Sequence, residues 1–317
     1  MTGRKLFRAG LALAGVAALT TAVLVAPAQA KTTSATGTTA ACELNAGAIT
    51  AAGAQTNSGV SGTPPVKRQI YKTTHGVYQP GKVRVTSVFT REPNTLTAYI
   101  GGYLLQGDSL YGIGFEVMAD TGEIDPDWPP TWTRVGGGWS NYTALEVSEY
   151  EVPKDRVARG TAYGLRNDGT LFRWKTWGNN PPGSWRKTGS APGFGSVKSM
   201  ALIGKTATYD TFLANLSGGA LYTIKIPIAE PMKPIATKIR PSGWGGFEKL
   251  IADKCGDSGT LLLAIDNDTK SGYTYAMSHA NGAATVIQSL GKVNSAFPDA
   301  VNFRWANIPR GDPLNGG

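Results

Sequence analysis

Thr161-Ala162-Tyr163-Gly164-Leu165, the four residues Arg166-Asn167-Asp168-Gly169, and then Thr170-Leu171-Phe172-Arg173-Trp174 form the plainest structural signal in the chain. Two short runs rich in aromatic and branched residues flank Asn-Asp-Gly. Asp and Gly accept the backbone angles that a tight hairpin turn demands, so the stretch predicts two antiparallel strands. Working outward, the same signature recurs. Thr211 to Leu216, Ser217-Gly218-Gly219 and Ala220 to Ile224 make a second copy. Leu261 to Ile265, a turn from Asp266 to Gly272, and Tyr273 to Ala276 make a third. The earliest runs from Leu96 to Ile100 and from Ser109 to Ile113. The closing aromatics Tyr111, Phe172, Tyr222 and Tyr275 lie 61, 50 and 53 residues apart.

A second element stands ahead of the hairpins. Trp139-Ser140-Asn141-Tyr142-Thr143-Ala144-Leu145 resembles Trp244-Gly245-Gly246-Phe247-Glu248-Lys249-Leu250, and Phe194 to Met200 matches both more weakly. With a fourth strand such as Ala284 to Leu290, each unit is four short strands in about fifty residues. Two linked signatures recurring in order favour an all-β propeller over a β-sandwich. Forty-one Gly and 19 Pro leave little room for helices of ordinary length. At the ends, Arg68 to Val77 reads as an outer hairpin and Val301-Asn302-Phe303-Arg304-Trp305 as an opening strand. Together they predict a fifth four-stranded blade that closes the ring with N- and C-terminal strands and hides the sheet edges.

The remaining organisation follows from composition. Arg4, Lys5 and Arg8 precede an apolar run from Leu11 to Ala26, and Ala28-Gln29-Ala30 follows, so residues 1–30 read as a secretory signal peptide. The run is interrupted and shorter than the ~20 apolar residues of a membrane anchor. Residues 31–63, rich in Ala, Thr, Gly and Ser, read as an arm or linker. The propeller is expected over 64–310, with a flexible tail at 311–317. Cys42 and Cys255 predict one disulfide in an exported chain. Cleaving the signal lowers the formal charge of +9 by three. The remaining Lys and Arg are scattered, which argues against nucleic acid as a partner. A secreted, extracellular monomer without membrane insertion is expected.

Gly243-Trp244-Gly245-Gly246-Phe247 and Asn167-Asp168-Gly169-Thr170-Leu171-Phe172 resemble the motifs of tachylectin-type five-bladed propellers. The resemblance extends over residues from about 65 to 310. It implies a lectin that binds N-acetylated amino sugars at sites repeated between blades, without catalysis and without a cofactor. This chain departs from the pattern in unit length, in the insertion Gly122 to Trp132, and in having no near-identical blades. Sugars need a planar apolar face and fixed polar partners. Trp139 with Asn141, and Trp244 with Asp266 or Asn267, are the candidate carbohydrate-binding pairs. The competing reading is that both Trp rings pack between neighbouring sheets. Trp128, Trp132, Trp177 and Trp185 lie in Pro-rich or Gly-rich loops and suit an exposed surface.

Other motifs carry less. Cys255-Gly256-Asp257-Ser258-Gly259 resembles a serine-protease nucleophile segment, but His75 and His279 are the only histidines and neither has the matching context. The segment reads as a turn. Two histidines and two distant cysteines give no zinc spacing. Asp266-Asn267-Asp268 lacks the closing Glu of a calcium loop, so no metal is expected. Asp120, Glu123, Asp125 and Asp127 cluster in the insertion, where a solvated acidic loop is favoured over catalysis. A propeller glycosidase or polysaccharide lyase, whose carboxylates converge from different blades, is the alternative function. A protein-binding propeller is the third.

Overall fold

The computed structural model of the chain describes residues 42–152, 157–176, 184–306 and 314–317. The signal segment expected at 1–30 and Trp177 lie outside the described residues. β1 (Glu43–Ile49), β2 (Gln55–Ser61) and β3 (Arg68–Thr74) come first. They are followed by β4 (Val83–Pro93), β5 (Thr97–Gln106), β6 (Ser109–Met118) and β7 (Thr131–Gly137). Then come β8 (Tyr142–Val152), β9 (Val157–Arg166), β10 (Leu171–Lys175) and β11 (Arg186–Ala191). The next group is β12 (Val197–Lys205), β13 (Tyr209–Leu216), β14 (Leu221–Pro227) and β15 (Ile235–Arg240). β16 (Lys249–Cys255), β17 (Gly259–Asp266), β18 (Ser271–Met277) and β19 (Ile287–Lys292) precede β20 (Val301–Ala306). No helix occurs among the described residues.

β8–β11, β12–β15 and β16–β19 are each a four-stranded antiparallel sheet in chain order. The remaining strands run β3-β2-β1-β20-β4-β5-β6-β7, two groups of four joined where β20 lies parallel to β4. That junction is short, pairing only Trp305 with Phe89 and Ala306 with Thr90. The first and last strands of the described residues meet in one sheet, because β1 pairs antiparallel with β20. The lead strands also touch one another. β4 packs on β8, β8 on β12, β12 on β16, and β16 on β1 and β20.

Burial falls from the lead strand outward. Interior positions of β13 and β17 are buried on both faces, whereas β7 and β15 are mostly exposed. A strand with both faces buried cannot alternate polar and apolar residues, which is why Leu261-Leu262-Leu263-Ala264-Ile265 is continuously apolar. Separate apolar clusters fill the spaces between groups. Phe89, Phe303 and Trp305 cross one of them, with Phe89 and Phe303 centroids 4.8 Å apart.

The turn Arg166–Thr170 shows why the Asn-Asp-Gly stretch folds as it does. Gly169 has φ of 80° and sits against the backbone of Gly195, so a side chain is excluded on both counts. The Asp168 carboxylate accepts the Thr170 amide at 2.9 Å and pairs with Arg166. The next aromatic element docks on this turn. The Phe194 amide donates to the Gly169 carbonyl at 2.9 Å, and the pattern holds in every group. Tyr78 donates to Gly53 at 3.1 Å, Trp139 to Asp108 at 3.0 Å, Trp244 to Gly219 at 3.0 Å, and Phe297 to Lys270 at 2.9 Å. The two linked sequence signatures are therefore one interaction: each hairpin turn is capped by the aromatic that follows its sheet.

Three expectations change. Residues 31–63 are not simply an arm, because 43–61 form β1 and β2. Their small residues are required by packing: a Cβ on Gly47 would overlap the Phe303 ring, and Leu44 and Val60 are fully buried. Composition alone made this crowded pair look like a linker. The described part of the expected tail, 314–317, is docked. The Lys205 amide donates to the Leu314 carbonyl at 3.0 Å and the Gly316 amide to Ile203 at 2.8 Å. The fourth strand of the β16 group starts at Ile287, not Ala284. Cys42 and Cys255 form the expected disulfide, tying the residue before β1 to the end of β16.

Candidate functional site

The structure does not bring the sequence-predicted sugar residues together as a site. Trp139 is 6% and Trp244 7% exposed, so neither ring presents a face to a ligand. Trp139 packs at 4.4 Å from Tyr142 and 4.9 Å from Trp174, centroid to centroid, and Trp244 at 4.8 Å from Tyr275. Both cap hairpin turns, which explains their recurrence without a ligand. Asn141 is exposed and accepts the Asn167 amide through its carbonyl at 2.8 Å. Asp266 and Asn267 belong to the β17–β18 turn. Asp266 accepts the Thr269 amide, which holds its carboxyl below the usual range, and the Asn267 amide donates to Glu248 at 2.7 Å. The Cys255–Gly259 segment is the β16–β17 turn, with Ser258 exposed and Cys255 in the disulfide. His279 Nδ1 instead lies 2.9 Å from the Asn315 carbonyl.

The prominent concavity lies elsewhere, between the β4–β7 group and β8. Here the core is split. Leu105, Leu110, Trp139, Tyr142, Leu145 and Phe172 fill one end, and Val88, Val147, Ala162 and Ala306 form a separate small cluster. A cleft of about 510 Å³ remains open at this boundary, in the size range of small-molecule sites. Its cause is legible in β5 and β6. Ala98, Ile100 and Leu104 of β5, with Ile113, Phe115 and Val117 of β6, join the core on one face. The opposite face carries Gly101, Gly112 and Gly114, with Gly101 paired to Gly114 across the strands. Three side chains that would fill the space against β8 are missing. Tyr99 lies over Gly114, where a Cβ would collide with its hydroxyl, and Tyr103 lies beside Gly112.

The cleft's outer wall is aromatic. Tyr99 is 44% and Trp128 63% exposed, and both line it. Trp128 belongs to the insertion between β6 and β7, which is fixed to β6. The Glu116 amide donates to the Trp128 carbonyl at 3.1 Å, and the Asp125 amide to the Glu116 carbonyl at 2.9 Å. The inner end is charged, with Glu149 of β8, Lys205 of β12 and Arg304 of β20. Glu92 and Glu116 are the other lining carboxylates, and Glu116 accepts the Thr97 hydroxyl at 2.6 Å. Burial and then the nearby Glu92 charge raise the Tyr99 phenol. Burial and the Glu149 charge raise Tyr103, opposed by the Trp185 indole donating to its oxygen.

Behind the cleft, charges meet along the lead strands. Burial raises the Glu146 carboxyl against the attraction of Lys249, Arg304 and Lys205. Burial likewise lowers the Lys249 ammonium against the attraction of Glu146. Arg304 Nη1 lies 3.9 Å from Asp253. Among the described residues, no group of three or more His, Cys, Asp or Glu could hold a metal ion. Nor is any helix there long and apolar enough to cross a membrane.

Sequence reasoning reached Trp128, Trp132 and Trp185 as loop aromatics but assigned them no role. It missed Tyr99, Glu92, Glu116 and Glu149 because their convergence depends on strand register and sheet neighbours. The glycine pattern of β5 and β6 was the one available signal.

No protein-family model matches the chain, and no curated protein matches it. Solved structures similar to it include the catalytic domain of a GH62 α-L-arabinofuranosidase from Coprinopsis cinerea, at 15% identity and TM-score 0.45, covering 73% of this chain and 78% of that one. A fucose-specific lectin from Aleuria aurantia has 11% identity and TM-score 0.44, covering 80% and 81%. A periplasmic gluconolactonase from Pseudomonas aeruginosa has 12% identity and TM-score 0.40, covering 78% and 79%. The expectation of a protein without catalysis is corrected on this finding. Enzymes stand beside a lectin among the similar chains.

Proposed function

We propose that this chain is an exported five-bladed β-propeller that binds carbohydrate in the cleft beside β5, β6 and β8. The blade count is supported by five turn–aromatic caps and by lead-strand contacts that run from β4 through β8, β12 and β16 to β20 and back. The single observation that carries the binding reading is a glycine-floored cleft with exposed Tyr99 and Trp128 on one wall and carboxylates, Lys205 and Arg304 around it. Sugar rings offer apolar C–H faces to aromatic planes and hydroxyls to charged groups, and the cleft supplies both. The disulfide and the basic, apolar N-terminal segment support export. The tachylectin type rests on motif resemblance alone. The sugar is assigned to the cleft rather than to Trp139, Asn141, Trp244, Asp266 or Asn267.

A glycan array with the purified chain and with Trp128→Ala tests this reading. Binding that Trp128→Ala weakens by about tenfold, roughly the value of a stacked aromatic, supports it. An array without any saccharide signal refutes it. A second reading, glycoside hydrolysis, is favoured by one observation: Glu92, Glu116 and Glu149 line the same cleft, and such chemistry uses a pair of carboxylates. Reducing-sugar release from arabinose- and xylose-containing polysaccharides, lost in Glu116→Gln or Glu149→Gln, is its test.

A further inference from the structure

We infer that the cleft selects a cationic saccharide, an oligomer of amino sugar whose amine is free rather than acylated; this rests on reading the cleft as the saccharide site. The reasoning starts from where charge is balanced and where it is not. At the inner end, Lys205 and Arg304 face acids of the protein itself. Glu146 attracts Lys205, Arg304 and Lys249, and Asp253 stands 3.9 Å from Arg304. Those cations are held by the fold and do not set a preference for an anionic ligand.

At the outer end the balance differs. Glu92 and Glu116 line the cleft beside Tyr99 and Trp128, and among the described residues no basic residue lines that end. The connection from Ala119 to Trp132 lines the cleft through Trp128, Pro129 and Thr131, carries Asp120, Glu123, Asp125 and Asp127 outside that lining, and contains no Lys or Arg. It is fastened against this wall through the Glu116 and Trp128 backbone bonds. Lys72 packs against Gly122 of this connection and donates to the Asp120 carbonyl, a backbone acceptor. The chain as a whole carries +9, so this concentration of acid around two exposed aromatic rings runs against the average. Aromatic faces and carboxylates together form an ammonium site: the ring face attracts the cation and the carboxylate accepts its N–H donors. A sugar bearing a protonated amine meets both and still offers a ring face to Trp128. Acylation removes the charge and one of the two attractions.

Calorimetric titration of the full chain with a glucosamine tetramer and with its N-acetylated counterpart, at about pH 5.5 so that carboxylates are ionised and the amine is protonated, tests this. The free-amine tetramer is expected to bind at least about tenfold more tightly. That ratio is expected to shrink between about 50 and 500 mM salt, because the outer wall is exposed to screening. Glu92→Gln with Glu116→Gln is expected to bring the ratio towards one, and the salt series on the unaltered protein provides the same readout if the variant fails to fold. Equal affinity for the two tetramers overturns the inference and leaves carbohydrate binding standing. Tighter binding of an oligolysine or a linear polyamine than of the free-amine tetramer also overturns it, because the site then reads charge without the sugar. Absence of binding to any saccharide refutes the cleft assignment itself.

Discussion

Replacing Asp210 with Asn should destabilise the protein by about 3–5 kcal/mol, the range for breaking one partner of a buried ion pair. Asp210 is fully buried in β13. Its oxygens accept Arg159 Nη2 at 2.6 Å and Nη1 at 2.9 Å, the Ser148 hydroxyl at 2.7 Å and the Tyr163 hydroxyl at 2.8 Å. Arg159 and Tyr163 come from β9 and Ser148 from β8, so the carboxylate joins one sheet to the next. The amide of Asn keeps the shape but turns a donor towards the guanidinium of Arg159, a residue only 9% exposed. Arg159 retains the Thr206 and Tyr209 carbonyls, at 2.6 and 3.2 Å from Nη2, but no counter-charge in this network. At about 2 °C per kcal/mol for a domain of this size, the melting temperature should fall by roughly 6–10 °C. Urea unfolding followed by tryptophan fluorescence gives the free energy. Arg159→Met combined with Asp210→Asn should cost less than the two singles added, because no unpaired guanidinium is left. Stability of Asp210→Asn within about 0.5 kcal/mol of the parent, the level of an ordinary surface substitution, would show that the buried carboxylate does not hold the two sheets together.

Reducing the disulfide, or changing both cysteines to Ser, releases a loop of 213 residues. The chain-entropy model puts the loss near 5 kcal/mol, and the urea midpoint with and without reductant checks it. Gly114→Val should fill the cleft floor and displace Tyr99, reducing saccharide affinity at least about tenfold by calorimetry, while the melting temperature moves little because Tyr99 can swing outward. The Tyr71 phenol donates to Glu43 at 2.6 Å, and that bond, then burial, pushes its pKa up to about 12. A raised folded-state pKa contributes stability that is fully present below the unfolded value of about 10 and is lost as pH rises from there through the folded value. The stability gap between the parent and Tyr71→Phe should therefore close between about pH 10 and 12, read by urea midpoints.

The repeating architecture was legible because it is local. A turn such as Arg166–Thr170 fixes its own geometry through Gly169 and Asp168, and the aromatics Trp139, Phe194 and Trp244 recur at the position that caps such a turn. Cys42 and Cys255 declared their partnership by being the only two cysteines. Composition misled where small residues serve packing: β1 and β2 read as a linker because Gly47 makes room for Phe303 from the far end of the chain. The candidate site was harder still. Glu116, Glu149, Lys205 and Arg304 lie on β6, β8, β12 and β20, and nothing in their spacing along the chain relates them. They converge only because four sheet groups bring those strands to one boundary. The repeated four-stranded sheets are written into local sequence signals, and Gly101, Gly112 and Gly114 are plain in the chain. That these three glycines share one face, and that it looks across at β8, depends on strand pairing and sheet neighbours; there the missing side chains leave a cleft rather than a tighter core.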